Sequence, residues 1–451
     1  MKRRQFDGWG RVGLTENLLS DDLRRLWTVD LERDAMNSES ISVGTSKPLK
    51  SDTAKADAVK EAPAQDEARF HTDQVATVAG GHLVHDTYAA FLAPLLPVLQ
   101  DRLGMGYTGA GGLMIFTQLP SLFTPFIGYL ADRVSLRYFV ILAPAATATL
   151  MSVIGLAPDY LTLALLLIAV GVSTAAFHAP APAMIARVSG NRVGTGMSVF
   201  MATGELGRTL GPMIAVAGVT WWGLDGLWRM AAAGWLASAI LYWRLRTVTA
   251  RPLDQKTLGL SYMLPQAKRV FPALAWMMGG LGLMTASLTT YLPIFMRDEL
   301  QSSLWLAAAA LTILEAAGVA GALLTGTLSD RWGRRRMLLS LLCAAPVLML
   351  FFLFGPKALA LPLLIALGLT AISPTPVMMA IVQDQFPDHR AAANGVYMFI
   401  NFLLRALALW LVGALADRYG LTAAFTVAAL AAFAAIPAVL RLPLSPRPAA
   451  R

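Results

Sequence analysis

Five charged residues interrupt stretches of the chain that are otherwise apolar: Asp86, Glu205, Arg208, Glu315 and Arg405. An ionisable side chain withdrawn from water is costly and is usually kept because it does chemistry. A carboxylic acid in such surroundings can bind and release a proton near neutral pH. Asp86 has His82 four residues before it, on the same face of a helix. This makes Asp86 the first candidate for a proton carrier and His82 its partner. The alternative for Asp86 is a structural hydrogen bond to a neighbouring helix. His85 is adjacent but points elsewhere. Glu205 and Arg208 are spaced to pair within one helix. Either the pair is permanent, or Glu205 holds Arg208 and yields it to an anionic ligand. Arg405 offers a second guanidinium, so Arg208 and Arg405 could clamp a phosphate, phosphonate or carboxylate through paired N–H donors. Pairing of Arg405 with Glu315 or with backbone carbonyls is the alternative. Glu315 lies in Leu-Glu-Ala-Ala-Gly-Val-Ala-Gly, whose small residues suggest a tight helix contact, and is a second proton-site candidate. His178 can act as proton relay, ligand donor or packing residue. Tyr88, Gln118 and Asn401 are candidate polar residues of the same cavity.

The elements that hold these groups are membrane-length. Of 451 residues, 56% are hydrophobic and only 14% charged, and the mean hydropathy is +0.56. Soluble domains carry about 25% charged residues, so an ordinary soluble enzyme, a disordered regulator and a nucleic-acid-binding domain are excluded. The lone cysteine, Cys343, excludes an internal disulfide framework and any cysteine-rich metal site. A bilayer-spanning helix needs about 20 mostly apolar residues. Twelve such segments are expected, at 74–100, 107–131, 138–156, 160–186, 194–219, 226–247, 270–296, 304–328, 337–355, 358–382, 391–416 and 421–441. Pro180 and Pro182 rule out a regular helix throughout the fourth. Pro212 cannot donate to the carbonyl of Arg208, so Gly207, Gly211 and Pro212 are expected to weaken the fifth.

Basic residues set the orientation. With the N-terminus inside, the connections on the inner side hold 18 Lys and Arg, and those on the outer side hold four. That bias places both termini in the cytoplasm. Residues 1–73 differ sharply, with 12 basic and 14 acidic residues and little that could form a core. They are expected to be a polar cytoplasmic tail, mostly disordered. No apolar run follows MKRR, so no secretory signal peptide is expected. Leu14 to Trp27 could form a short amphipathic helix against the membrane or the protein's own loops, or be an incidental fragment. The expected organisation is therefore the tail 1–73, a six-helix bundle 74–247, a cytoplasmic central loop 248–269, a second six-helix bundle 270–441 and a cytoplasmic tail 442–451.

The two bundles repeat one another. GYLADRVSLR begins at Gly128 and GTLSDRWGRR at Gly326, 198 residues later. Arg192 and Arg390 share that offset, and Arg208 and Arg405 are 197 apart. A parallel repeat of six helices is a transporter pattern. The duplicated Gly-x-x-x-Asp-Arg-x-x-x-Arg loop (Gly128, Asp132, Arg133 and Arg137; Gly326, Asp330, Arg331 and Arg335) resembles the signature of the major facilitator superfamily. GALADRYG at 413–420 resembles that family's usual end of helix eleven. Asp132 and Asp330 can accept from a neighbouring helix N-terminus and pair with a basic side chain. Such a contact would gate the two bundles; the alternative is that these charges only fix topology.

A closer resemblance, over nearly all of 74–441, is to the fosmidomycin-resistance group of the superfamily. It rests on GHLVHDTYAAFLAPLLPVL at 81–99 and AFHAPAPAMIARVSGNRVGTGMSVFMATGELGRTLGP at 176–212. Phe177 and His178 match a Phe-His-Pro step, with Ala179 in place of its proline. Gly204, Gly207, Gly211 and Pro212 match a Gly-x-x-Gly-x-x-x-Gly-Pro run, with Glu205 where Asn is common. The resemblance implies a twelve-helix, all-α membrane protein in two bundles and export of small molecules driven by proton entry.

No Gly-Lys-Ser/Thr phosphate loop and no His-Glu-x-x-His is present, so neither ATP nor a metal is expected. The proton gradient is the expected energy source, with no cofactor. Lipid, protons and a small molecule are the expected partners, with no nucleic acid, and a monomer is the superfamily default. Three functions follow: proton antiport exporting a small organic compound, with a fosmidomycin-like phosphonate as one candidate; proton symport for uptake of an organic anion; and a non-transporting scaffold or assembly factor whose tail binds a protein. The inner membrane is the expected location, and no enzymatic activity is expected.

Overall fold

The computed structural model describes residues 69–123, 136–248, 264–386 and 390–442. The tail up to residue 68, the stretch Leu14–Trp27, most of the 248–269 loop and the C-terminal tail beyond 442 lie outside the described residues, as do Gly128, Asp132 and Arg133. The described chain is helical, in twelve consecutive segments. Segment one is Thr72–Ala89 followed by Leu92–Leu103; segment two is Tyr107–Gln118 continued by a tighter turn, Leu119–Phe123. Segment three is Arg137–Ser152, and segment four is Tyr160–His178 then Ala181–Val188. Segment five is Val193–Gly226 and segment six Ala231–Leu245. Segment seven runs Leu264–Ala286, a widened turn Ser287–Tyr291, then Leu292–Asp298. Segments eight and nine are Leu304–Trp332 and Arg334–Phe354. Segment ten is Ala360–Leu367, a second widened turn Gly368–Ile372, then Pro374–Gln385. Segment eleven is Arg390–Tyr419, and segment twelve is Leu421–Phe433 then Ile436–Arg441.

Among the described residues, eight helices are long and apolar enough to cross a membrane: segments three, four and seven to twelve. The other four of the twelve have plain reasons for falling short. Segment one carries His82, His85 and Asp86, segment five carries Glu205 and Arg208, segment two runs out of the described residues, and the regular helix of segment six is only 15 residues. Large apolar side chains face outward all round, including Leu161, Trp221, Trp243, Leu323 and Phe354, each more than 60% exposed. Such a surface is untenable in water and natural in lipid.

Segment seven begins at Leu264, six residues inside the expected central loop, and segment five extends to Gly226 rather than residue 219. Segment four does break: its first helix ends at His178, and the chain restarts with Pro182 in the first turn, where a missing N–H costs nothing. The expected weakening of segment five at Pro212 is corrected. The helix runs through Pro212, and the non-helical residue is Gly223, at φ 70°. The repeat extends to irregularities the sequence does not display. Segment one breaks at 90–91, and segment seven widens at Ser287–Tyr291, about one repeat length later.

The two ends of the bundle differ. The proximal end holds residues 188–193, 332–334, 385–386 and 390, with Arg335 donating to the Leu442 carbonyl at 2.8 Å and Gln266 to Gln385 at 2.7 Å. The distal end holds the turns near 104, 157, 226, 300, 356 and 420. One large core joins the halves there, through Phe91 and Leu113 on one side and Tyr291 and Leu409 on the other. A smaller core lies within the first half and contains Val78, Ile141, Phe177, Met184, Phe200 and Leu241.

Candidate functional site

The site is built where segments one, four and five meet, and glycines decide how closely. Gly204, Gly207 and Gly211 form a stripe along segment five that lies on segment one. A Cβ on Gly204 would come within 2.3 Å of the His82 ring; one on Gly207, within 2.5 Å of the Leu83 carbonyl oxygen; one on Gly211, within 2.7 Å of the Thr87 carbonyl oxygen. The glycine run is thus a contact face rather than a helix break, and Arg208, next to Gly207, is delivered to Asp86. Gly207→Ala should force segments one and five apart, costing about 1–3 kcal/mol of stability. A lower thermal midpoint of the detergent-solubilised protein, with transport reduced in parallel, is the expected result.

Asp86 is 2% exposed and sits among three basic groups. Its Oδ2 lies 3.3 Å from His82 Nε2 and 3.4 Å from Arg208 Nη1, and its Oδ1 lies 3.3 Å from His178 Nε2. His82 is gripped from behind: its ring stacks on Phe200 at 3.9 Å, and its Nδ1 lies 2.7 Å from the Phe200 carbonyl oxygen. A carbonyl can only accept, so Nδ1 carries the hydrogen, and in a neutral ring Nε2 presents a lone pair to the carboxylate. Beyond these 3.3 Å approaches, neither His82 Nε2 nor Asp86 Oδ1 has a hydrogen-bond partner among the described residues. One proton on Nε2 turns a lone-pair repulsion into an ion pair. The three donor atoms lie within 4.8 Å of one another. The fixed charge of Arg208 beside the same carboxylate opposes a divalent ion there about twice as strongly as it opposes a proton. His85 points away, as expected. It stacks on Phe177 at 4.5 Å and meets Thr147 Oγ1 at 3.2 Å, which in turn meets Ser173 at 2.8 Å.

Arg208 is shared. Its Nη2 donates to Glu205, and its Nη1 reaches Asp86. Both Glu205 and Arg208 are partly exposed, whereas Asp86 is sealed. Segment eight closes on segment five, where Thr312 donates to the Thr209 carbonyl at 3.0 Å. Glu315, less than one turn further on, feels the charges of Arg208, Glu205 and Arg405. Arg405 donates to Thr289 in the widened turn of segment seven, at 3.3 Å. The structure therefore gathers all five intramembrane charges into one electrostatic group. Counting three acids and two guanidiniums, that group carries one negative charge in excess when the imidazoles are neutral.

The other candidates divide. His178 joins the cluster, and Asn401 lies one turn before Arg405 on segment eleven. Gln118 donates to the Met114 carbonyl of its own helix at 3.3 Å, with its Oε1 buried and without a partner among the described residues. Tyr88 leaves the site: its ring packs on Phe91, and its hydroxyl donates to the Met230 carbonyl in the turn before segment six. It is a structural residue because a buried hydroxyl must find an acceptor. Phe177 and Phe200, which frame the imidazoles, were not among the candidates; only the Phe177–His178 step offered a signal. In the second copy of the duplicated loop, Asp330 pairs with Arg334 at 2.7 Å, and Arg334 also reaches Asp384 at 3.2 Å. These contacts lie within the second half, so here Arg334 joins segment eight to segment ten. Arg335 holds the end of segment twelve, Gly333 makes the intervening turn at φ 97°, and Arg137 lies over the ring of Tyr138. Gly326 has open space where a Cβ would stand.

Two six-helix halves of membrane-length helices, with charged groups gathered within the first half and where segments five and eight meet, have the architecture of a transporter. The chain belongs to the Major Facilitator Superfamily, whose family model matches residues 78–409. Among curated relatives, it is 25% identical over 361 residues to an uncharacterised MFS-type transporter, YfnC, of Bacillus subtilis (strain 168), covering 76% of this chain and 86% of that protein. It is 21% identical over 369 residues to the fosmidomycin resistance protein of Escherichia coli (strain K12), covering 80% and 91%. Among solved structures, the fold matches the nucleoside transporter NupG with a TM-score of 0.65 at 16% identity, covering 82% of this chain and 98% of that one. A bacterial homologue of the human lysosomal transporter Spinster, inward-facing and unoccupied, matches with a TM-score of 0.64 at 15% identity, covering 82% and 94%.

Proposed function

We propose that the protein is a proton-coupled secondary active transporter that exports a small organic compound by antiport across the inner membrane, with both termini in the cytoplasm. The observation that carries the proposal is Asp86, sealed from solvent beside His82 and half-buried His178, and linked through Arg208 to the more exposed Glu205. A single proton neutralises the excess charge of the group. So does a single positive charge on a substrate, and the two then compete, which is the requirement for antiport. The halves rock about this site, and a proton on the cluster resets it after substrate has left. The likeness to a fosmidomycin resistance protein supports a small organic cargo.

A second reading, uptake by proton symport, is favoured by one feature. Arg208 is shared by Asp86 and Glu205. An anionic substrate that takes Arg208 from them leaves two carboxylates in excess, and these draw protons in with the anion. Substrate charge and coupling mode are thus tied together.

The test is proton flux in proteoliposomes with a pH-sensitive dye, challenged with phosphonates, carboxylates and cationic drugs. A substrate-dependent proton signal is expected, and its sign gives the direction. A panel in which transported compounds move no protons would end the proposal.

A further inference from the structure

We infer that Asp417 is a gate residue: a helix cap donated from one half of the transporter to the other, which holds the distal face closed. The sequence contains a third Gly-x-x-x-Asp-Arg, formed by Gly413, Asp417 and Arg418, besides the two duplicated loops. It falls at the distal end of segment eleven, opposite the end where the copy at Gly326 lies. There the two carboxylate oxygens of Asp417 each accept one backbone N–H from the first turn of segment two: Oδ1 from Tyr107 at 2.7 Å and Oδ2 from Thr108 at 2.9 Å.

Segment two has no cap of its own. Its N-cap residue is Gly106, which offers no side chain to accept those N–H groups. Elsewhere at the distal end the ordinary solution is used. Asp159 caps its own helix, accepting from Thr162 N–H at 2.8 Å, and that bond holds its carboxyl below the usual carboxylate range. Gly106 also makes the room that Asp417 needs, because a Cβ there would stand 2.7 Å from Oδ1. Two further glycines bring the helices together: Cβ atoms on Gly413 and Gly111 would come within 2.8 Å of the Tyr107 carbonyl and 2.7 Å of the Leu409 carbonyl. The Tyr291 hydroxyl fills the seam, 2.7 Å from the Leu409 oxygen and 3.2 Å from the Tyr107 oxygen. Beside it, Arg297 of segment seven donates to the Pro97 carbonyl and to Asp101 of segment one, and Tyr107 donates to Asp298 at 3.0 Å.

Opening the distal face must pull Asp417 from segment two and leave two N–H groups to water. The cap therefore biases the cycle toward the distally closed state. The inference rests on alternating access alone, so it stands or falls independently of proton coupling and substrate.

The test uses the full chain with Cys343→Ser, spin-labelled at Leu156→Cys and Lys357→Cys. These exposed distal turns belong to opposite halves. Distance distributions are measured by electron double resonance, with no substrate added. Asp417→Ala should raise the ratio of long to short distances about tenfold, the usual worth of a lost cap, and Asp417→Asn should raise it less. Adding Gly106→Ser to Asp417→Ala gives segment two a cap of its own. That double variant should regain thermal stability but keep the long-distance population. Unchanged distances in Asp417→Ala would overturn the inference, as would their return to wild type in the double variant, since Asp417 would then serve only as a structural cap. If Asp417→Ala fails to fold, Asp417→Asn alone decides the question: a raised long-distance population supports the inference, and unchanged distances overturn it.

Discussion

Replacing Asp86 by Asn should abolish substrate-dependent proton movement, to the level of vesicles without protein, while the protein still folds. The reason is local. Asn has the shape of Asp but cannot take up a proton, and its amide can donate to the bare Nε2 of His82. That satisfies the neutral imidazole whose Nδ1 hydrogen is held by the Phe200 carbonyl. The proton loses both its carboxylate and its reason to bind. Arg208 keeps Glu205 as a partner, so no guanidinium is stranded. Parallel measurements of proton flux, substrate flux and thermal unfolding check this. Full proton coupling in Asp86→Asn would remove the carboxylate from the mechanism.

The second large effect is expected at Arg208. Arg208→Gln leaves Asp86, Glu205 and Glu315 facing one another with only Arg405 as a fixed counter-charge. Loss of a charge-assisted hydrogen-bond partner is worth about 1.5–3 kcal/mol. The apparent affinity for an anionic substrate should accordingly fall by at least tenfold, whereas a neutral one should change little. A cationic one should bind as well or better, because the site has gained negative charge. Arg405→Gln should follow the same order with a smaller effect, since among the described residues its hydrogen bond goes to the neutral Thr289 hydroxyl rather than to a carboxylate. Equal losses for anionic and neutral compounds would discard the two-arginine clamp. Binding assays on purified protein, using one compound of each charge, separate these outcomes from loss of transport.

The architecture was legible in the sequence because lipid imposes simple rules. Apolar runs of membrane length, arginines crowded on one side and two Gly-x-x-x-Asp-Arg loops at one offset are enough to specify two six-helix halves. The intramembrane charges were legible for the same reason, since each stands out against apolar neighbours. Their pairing was only half visible. His82 with Asp86 and Glu205 with Arg208 follow from helical spacing, but His178 reaches Asp86 from another segment, 92 residues along the chain. No local pattern contains that contact. The closest signal was the stripe Gly204, Gly207, Gly211. Small residues at those spacings mark a face that another helix must cover, and the charge beside Gly207 must then meet whatever that helix carries. Pro212 misled for a related reason. Its local effect is to remove one donor, but the surrounding segments keep the helix continuous, and the kink moves to Gly223. Tyr88 looked like a cavity residue because sequence cannot say that its hydroxyl finds the Met230 carbonyl.

The central claim is that proton and substrate occupancy are linked through the Asp86 cluster, and the most direct measurement is proton exchange at equilibrium. A transported compound from the flux panel is added to the detergent-solubilised protein in weakly buffered solution, and the pH change is followed. The wild type should exchange on the order of one proton per protein, released for a substrate that competes with the proton and taken up for an anion that draws it in. Asp86→Asn should bind the same compound without that exchange. Binding to the wild type with no proton exchange, or exchange of equal size in Asp86→Asn, would contradict the account.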